Sequence, residues 1–282
     1  MIIQREIREK AQEWGVHPDT ADKDYVLSHF LSAFYKYFGD QVIFKGGTCL
    51  RKCYFPDYRF SEDLDFTSIK NDFILRKDDL LSVCKSIREF NDIVFIPDDI
   101  QQLLFQDQKK GYQVKIKYWG ANHSRNQQPL PPERWLTRIK LEISTDELTL
   151  LSPENKKLNH PFTDSLISSS PILCYPLAEI VAEKLRSLVQ RSYTAPRDFY
   201  DIYQLTNNYS KKDWHFVKSL FLKKMNHKGL IYSGPDQLIE GSSIVTVLNA
   251  WKSSIAHQLN RNQNLIPDTV VNSVITRIKD NL

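Results

Sequence analysis

The sequence predicts an α+β fold in which residues 1–165 form a mixed sheet with flanking helices and residues 166–282 form a C-terminal helical domain. Three observations predict it. Short β-branched and aromatic runs in the first half alternate apolar with polar residues at period two, as half-buried strands do. Beyond residue 176, apolar side chains recur instead at helical spacing, in five successive segments. Between the two regimes lies TDSLISSSPILCYP, a Ser- and Pro-rich passage of the kind that joins domains.

Residues 2–14 and 21–38 read as helices, the second with Tyr25, Leu27, Phe30, Leu31, Phe34, Tyr35 and Phe38 as a thick apolar face that Gly39 ends. QVIFKGG reads as a buried strand with a sharp turn into a helix over TCLRKCY. In SEDLDFTS, Leu64 and Phe66 alternate with Asp63 and Asp65, so one edge of a strand carries two carboxylates. Residues 80–90 read as a helix and DIVFI as a short strand. GYQVKIKYWG and RWLTRIKLEIS form the arms of a hairpin, joined by the polar stretch ANHSRNQQPLPPE. On the second arm Ile139, Leu141 and Ile143 face one side, which leaves Lys140 and Glu142 on the other. The helices of the second half cover residues 177–191, 197–205, 213–225, 243–258 and 266–280.

Composition narrows the function classes. With 282 residues, 41% of them hydrophobic, the chain can fill a sizeable core, and disorder is not the expectation. A net charge of +4, set against 38 basic and 34 acidic residues, allows a nucleic-acid surface without indicating one. Cys49, Cys53, Cys84 and Cys174 lack the paired short spacings of a zinc site and the density of a disulfide framework, and read as free thiols in a reducing compartment. Cys49 and Cys53 share a helix face at i,i+4, but two thiols without nearby histidines are the pattern of packing residues. The segment MIIQREIREKAQEWG has no signal-peptide core, and no stretch approaches the ~20 apolar residues of a membrane span. A cytoplasmic protein without a membrane partner is the expectation.

The chemistry is carried by carboxylates. Phosphoryl and nucleotidyl transfer use two divalent cations about 4 Å apart, clamped on the attacking and leaving oxygens. An Asp-x-Asp on a strand supplies ligands for them, because side chains at i and i+2 lie on one face of the pleat. Asp63 and Asp65 form such a pair, and Glu142, on the polar side of RIKLEIS, completes it if a neighbouring strand brings it alongside. Glu142 is also a candidate to take the proton from an attacking hydroxyl. Taken alone, each of these is equally the pattern of a solvated strand face. Gly46 and Gly47 let backbone amides approach a phosphate with no Cβ in the way, and Thr48 adds a hydroxyl donor at the start of the following helix.

The second half holds an anomaly. In YPLAEIVAEKLRSLVQR the stripe of Leu177, Ile180, Val181, Leu185 and Leu188 has Lys184 at its middle, with Arg191 on the same stripe. A lysine there either snorkels to solvent or lines a cleft that holds anions. PRDFYDIYQL begins with Pro196 suited to a first helical turn, and sets Arg197 and Asp201 at i,i+4 and Asp198 and Asp201 at i,i+3. The lysine-rich KKDWHFVKSLFLKKMNHKG reads either as a solvated helix face or as a track for a phosphate backbone, with Lys218, Lys223 and Lys224 as the cations.

Together, FKGGTCLRKCYFPDYRFSEDLDF, IKLEIS and EIVAEKLRSLVQRSYTAPRDFYDIYQL closely resemble the nucleotidyltransferase toxins of the AbiEii/AbiGii type, from about KDYVLSHFLSAF to residue 205. The resemblance implies a polymerase β-like nucleotidyltransferase sheet and a toxin of a bacterial toxin–antitoxin or abortive-infection system. It also implies magnesium, or manganese in its place, and a nucleoside triphosphate substrate. An RNA acceptor is implied too, such as the acceptor end of a tRNA, or else a protein hydroxyl, together with a cognate antitoxin encoded beside the gene. By position, Gly47 and Thr48 match the Gly-Ser/Thr element and Asp63 and Asp65 the Asp-x-Asp pair. Lys184 matches the lysine motif, and Arg197, Asp198 and Asp201 the Arg-Asp-x-x-Asp motif. Asp63, Asp65 and Glu142 are thus the expected metal ligands, and these three with Lys184, Asp198 and Asp201 the expected catalytic set. Lys45, Gly46, Gly47, Thr48, Arg59, Ser61, Lys184, Arg191 and Arg197 are the expected nucleotide-binding residues. Two departures stand out: fourteen residues separate Thr48 from Asp63, and the third acid is glutamate where the family more often has aspartate. Two other readings remain open: a transferase acting on a small molecule, and a catalytically silent nucleotide- or RNA-binding protein.

Overall fold

The computed structural model describes residues 1–105, 108–124, 126–191, 195–261, 263 and 265–282. Arg125 of the expected hairpin loop, and residues 192–194 of the RSYTAPRD stretch, lie outside the described residues. The chain divides into two units, one of Met1–Glu147 and Pro153–Cys174, the other of Leu148–Ser152 and Tyr175–Leu282. The first is the α+β unit and the second is helical. The break follows Cys174 and not residue 165, because Ile172–Cys174 is itself a strand of the sheet. Residues 148–152 go with the second unit, where the Leu150 and Leu151 amides donate to Glu179 at 2.8 and 3.0 Å.

The first unit opens with α1 (Gln4–Trp14) and α2 (Pro18–Phe38). They are followed by β1 (Val42–Lys45), α3 (Gly46–Cys49, continued as a π-helix over Leu50–Tyr54), β2 (Asp63–Ser68) and α4 (Lys77–Asn91). Next come β3 (Val94–Pro97), β4 (Gln101–Phe105), β5 (Gln108–Trp119), β6 (Arg138–Ser144), β7 (Glu154–Lys156) and β8 (Ile172–Cys174). The strands form one mixed sheet in the order β3-β5-β6-β2-β1-β8-β7, with β4 also beside β5. The expected hairpin is β5–β6, antiparallel from Gly111↔Ser144 to Lys117↔Arg138. The centre is β2, antiparallel to β1 and parallel to β6.

The apolar face of α2 holds this sheet: Tyr25, Leu27, Phe30, Leu31 and Phe34 are all fully buried, and Phe34 and Phe44 each lie 5.0 Å from the Phe66 ring. Burying each such side chain contributes roughly 1.5–3 kcal/mol. A buried ion cluster adds register. Asp24 on α2 accepts from Arg51 Nε at 2.7 Å and Lys52 Nζ at 2.5 Å, tying α2 to the helix that follows the double glycine. The two cations keep the Asp24 carboxyl below its ordinary range against the opposing effect of burial.

The second unit contains α5 (Leu177–Gln190), α6 (Pro196–Leu205), α7 (Lys211–His227), α8 (Gly241–Ser254) and α9 (Pro267–Asn281), close to the expected segments. Pro196 occupies the first turn of α6, and Ser210 with Asp213 forms a reciprocal capping box on α7. Phe199, Ile202, Val217, Phe221, Val274 and Ile278 are buried as its core. No helix among the described residues is long and apolar enough to cross a membrane.

Candidate active site

The carboxylates meet at the centre of the sheet. Along β2, Asp63 and Asp65 are half-buried on one face while Leu64 and Phe66 are buried on the other. Parallel pairing with β6 sets Asp65 opposite Glu142 and Asp63 opposite Lys140, and antiparallel pairing with β1 sets Lys45 opposite Asp65. Paired residues share a face of the sheet, so three acids and two lysines gather on it. Burial, then the negative charges of Asp63 and Glu142, push the Asp65 carboxyl up to about 6, while Lys45 and Lys140 pull it down. Lys140 reaches Glu142 at 2.7 Å.

The double glycine borders this cluster. Gly46 has φ +78°, and a Cβ built there would lie 2.5 Å from Asp65 Oδ2. Only glycine accepts that conformation and that approach. A Cβ on Gly47 would fall 2.7 Å from the Arg59 guanidinium and 2.9 Å from Ser61 Oγ, so these two side chains back the turn. Arg59 is 1% exposed, and one of its contacts is Nη1 donating to the Phe60 carbonyl at 3.1 Å. Thr48 differs from expectation. It is buried, and its hydroxyl donates to the Asp63 main-chain carbonyl at 2.5 Å, which locks α3 to β2. Its proton faces the protein and not a ligand. A cleft of about 490 Å³ opens beside Asp63, lined by Lys23, Lys115, Arg138 and Lys140 among others.

An all-oxygen donor set of two aspartates and a glutamate fits a hard divalent cation, and burial together with the charges of Asp63 and Glu142 keeps the Asp65 carboxyl raised despite Lys45 and Lys140. The three carboxylates are spread along two strands and do not close on a single point. Among the described residues, the groups of three or more ligand-type side chains that converge within 4.8 Å are Cys49, Cys53, Cys174 and His29, His160, Asp164.

In the second unit, Lys184 neither snorkels nor stands open. Its Nζ lies 2.8 Å from Asp198 and 2.7 Å from Asp201, and Arg191 also pairs with Asp198. Asp198 and Asp201 are buried, whereas the Lys184 side chain keeps 14% exposure. The i,i+3 spacing on α6 thus presents two acids to one lysine on α5, a convergence invisible to either helix read alone. Arg197 is half-buried.

The lysine-rich helix also needs correction. Lys224 is fully buried, donating to the Leu148 carbonyl at 2.6 Å and pairing with the buried Glu179 at 3.0 Å. Lys218 binds the main-chain oxygen of Leu282. Lys223 alone of the three chosen cations is exposed, so the triple set is not a phosphate track.

Comparison with known proteins bears on the family and the fold. The family described as "Nucleotidyl transferase AbiEii toxin, Type IV TA system" matches residues 29–269. MenT4, a nucleotidyltransferase toxin of Mycobacterium tuberculosis, superposes with a TM-score of 0.60 at 18% identity, covering 100% of this chain and 91% of that one. An H. pylori protein described as a nucleotidyltransferase superposes with a TM-score of 0.50 at 18% identity, covering 91% of this chain and 95% of its own. At that identity the likeness is one of fold. No curated protein matches the sequence significantly.

Proposed function

Because the chain belongs to the AbiEii nucleotidyltransferase toxin family of type IV toxin–antitoxin systems, we propose that it transfers a nucleotidyl group from a nucleoside triphosphate to a hydroxyl of an RNA acceptor, with the acids of β2 and β6 as its centre. The observation that carries this reading is the register that sets Asp65 between Glu142 and Lys45, with the Gly46 backbone against its carboxylate. Asp63, Asp65 and Glu142 are the residues to hold magnesium, or manganese in its place. The cation, when bound, neutralises the triphosphate and polarises the α-phosphate.

The chain's own groups do the rest. The turn at Gly46 and Gly47 admits phosphate oxygens close to the backbone, and Arg59 and Ser61 hold that turn rigid from behind. Lys45 supplies positive charge next to Asp65. Thr48 acts through Asp63, by fixing the strand that carries it. Glu142 accepts the proton of the attacking hydroxyl as its oxygen bonds to the α-phosphorus and pyrophosphate departs. In the second unit, Lys184, Arg191 and Arg197 are assigned to phosphate binding, with Asp198 and Asp201 as positioning residues that hold Lys184. Lys115 and Arg138 on the cleft beside Asp63 offer positive charge to a polyanionic acceptor, with Asp19 and Glu62 on the same lining. The toxin family implies an antitoxin partner.

The test incubates the protein with each α-labelled nucleoside triphosphate, magnesium and total RNA, then separates RNA from protein. Label on RNA with one triphosphate preferred is the expected result. Label confined to protein would replace the acceptor class, and no label with any triphosphate would overturn the reading.

A further inference from the structure

Among the described residues, two side-chain clusters outside the acidic centre bring metal-ligand atoms together. At His29, Asn91 Nδ2 donates to Nδ1 at 2.7 Å, since Asn91 Oδ1 already accepts from the Ile93 amide. The ring proton therefore sits on Nε2, the nitrogen that faces Asp164 at 3.3 Å. The Asp164 carboxylate there is already taken up by the Tyr25 hydroxyl at 2.6 Å and His160 Nε2 at 3.1 Å, with His29 beside it.

The thiols are different. Cys49, Cys53 and Cys174 have their Sγ atoms within 4.8 Å of one another, and all are free thiols. They come from separate elements: Cys49 ends the α-helical part of α3, Cys53 lies in its π-helical continuation, and Cys174 ends β8, where it pairs with Phe44 of β1. The Tyr35 hydroxyl helps fix that pairing, lying 2.7 Å from the Leu173 carbonyl and 3.0 Å from the Val42 carbonyl. A cation bonded to three sulfurs at ~2.3 Å holds them about 4 Å apart, so the cluster needs to contract by less than about 1 Å to close on one. Cys49 and Cys174 are fully buried, whereas Cys53 is half-buried and lines a cleft of about 670 Å³ with Lys52, Tyr54 and Lys157. The site therefore has one approach. Lys52 and Lys156 give Cys53 an electropositive setting, which favours release of the thiol proton to a soft metal.

We propose that Cys49, Cys53 and Cys174 form a trithiolate site for one thiophilic d10 cation of the zinc class, with its fourth position facing the cleft at Cys53. Binding replaces the remaining S–H protons, which pass to the buffer, and no electrons move. Sulfur donors reject magnesium, so this site and the acidic centre do not compete for the same ion. The cation would brace α3 against β8 immediately after the Gly46–Gly47 turn.

The test uses metal-free, reduced full-length protein titrated with cadmium, whose thiolate complexes absorb by charge transfer in the near ultraviolet, with zinc as competitor. It reads binding, not transfer, so its outcome is independent of the transferase reading. A band saturating at one cadmium per chain and displaced by zinc is expected. Cys84→Ala, on α4 and outside the cluster, keeps it. Cys53→Ser, at the half-exposed position, lowers affinity by more than about tenfold while its metal-free unfolding temperature stays at the wild-type value. Cys174→Ser gives a second reading of the same loss. The proposal is overturned by absence of the band in the wild type, by unchanged affinity in Cys53→Ser and Cys174→Ser, or by a disulfide among the three in protein purified without reductant.

Discussion

Replacing Lys184 by methionine should destabilise the second unit before it says anything about catalysis. The ammonium lies 2.8 and 2.7 Å from two carboxylates that are 1% and 0% exposed. Methionine fills the stem's volume and leaves Asp198 with Arg191 as its cation, while Asp201 loses the Lys184 contact. Removing one partner of a buried pair costs about 3–5 kcal/mol, because the remaining charge keeps its desolvation penalty. At 2–4 °C per kcal/mol the unfolding temperature falls on the order of 10 °C. Adding Asp201→Asn, which removes the charge that Lys184 faced, should recover part of the deficit. Urea unfolding followed by tryptophan fluorescence measures this. A deficit below about 1 kcal/mol, or no recovery on adding Asp201→Asn, would refute the buried-cluster reasoning and return Lys184 to a solvent-facing role.

Three further outcomes follow from the same geometry. Gly46→Ala puts a Cβ 2.5 Å from Asp65 Oδ2 at φ +78°, and should cost about 1–3 kcal/mol by urea unfolding while depressing transfer; wild-type values for both would contradict the close approach. Lys224→Met strands the buried Glu179 and should cost about 3–5 kcal/mol, whereas Lys223→Gln, at an exposed position, should stay within about 0.5 kcal/mol and leave RNA retention on a filter unchanged. Burial raises the Asp22 carboxyl to about 7, against the Ala121 and Asn122 amides that hold it down. Its folded pKa exceeds its unfolded value, so wild-type stability relative to Asp22→Asn should fall between about pH 4 and 7, by on the order of 4 kcal/mol, and a flat difference would remove the shift.

How much was legible in the sequence follows from what is local. Periodicity gave α2, β2 and the β5–β6 hairpin because each buries a regular face of its own. The strand β8 was hidden, since ILC is three residues long inside a Ser/Pro-rich passage and is a strand only because β1 lies beside it. Cys174 was hidden with it, which is why Cys49 and Cys53 read as packing residues. Period-two alternation placed Glu142 on the polar side of its strand, but its register opposite Asp65 depends on a parallel pairing between β2 and β6 that no local pattern encodes. Lys184 and Lys224 were visible as anomalies or as charge, and their partners were not, because Asp198, Asp201 and Glu179 lie on other helices. Thr48 had the right position and the opposite direction: its hydroxyl turns inward to Asp63.

The most direct test of the central claim is transfer of label from an α-labelled nucleoside triphosphate to RNA by Asp65→Asn in saturating magnesium, with thermal unfolding recorded alongside. Asparagine keeps the shape and removes a charge that Asp63 and Glu142 oppose. Unfolding should stay at or above the wild-type temperature while transfer falls at least a hundredfold, about 3 kcal/mol of transition-state stabilisation. A folded Asp65→Asn protein that keeps most of its transfer activity would contradict the assignment of the sheet's acidic centre as the catalytic site.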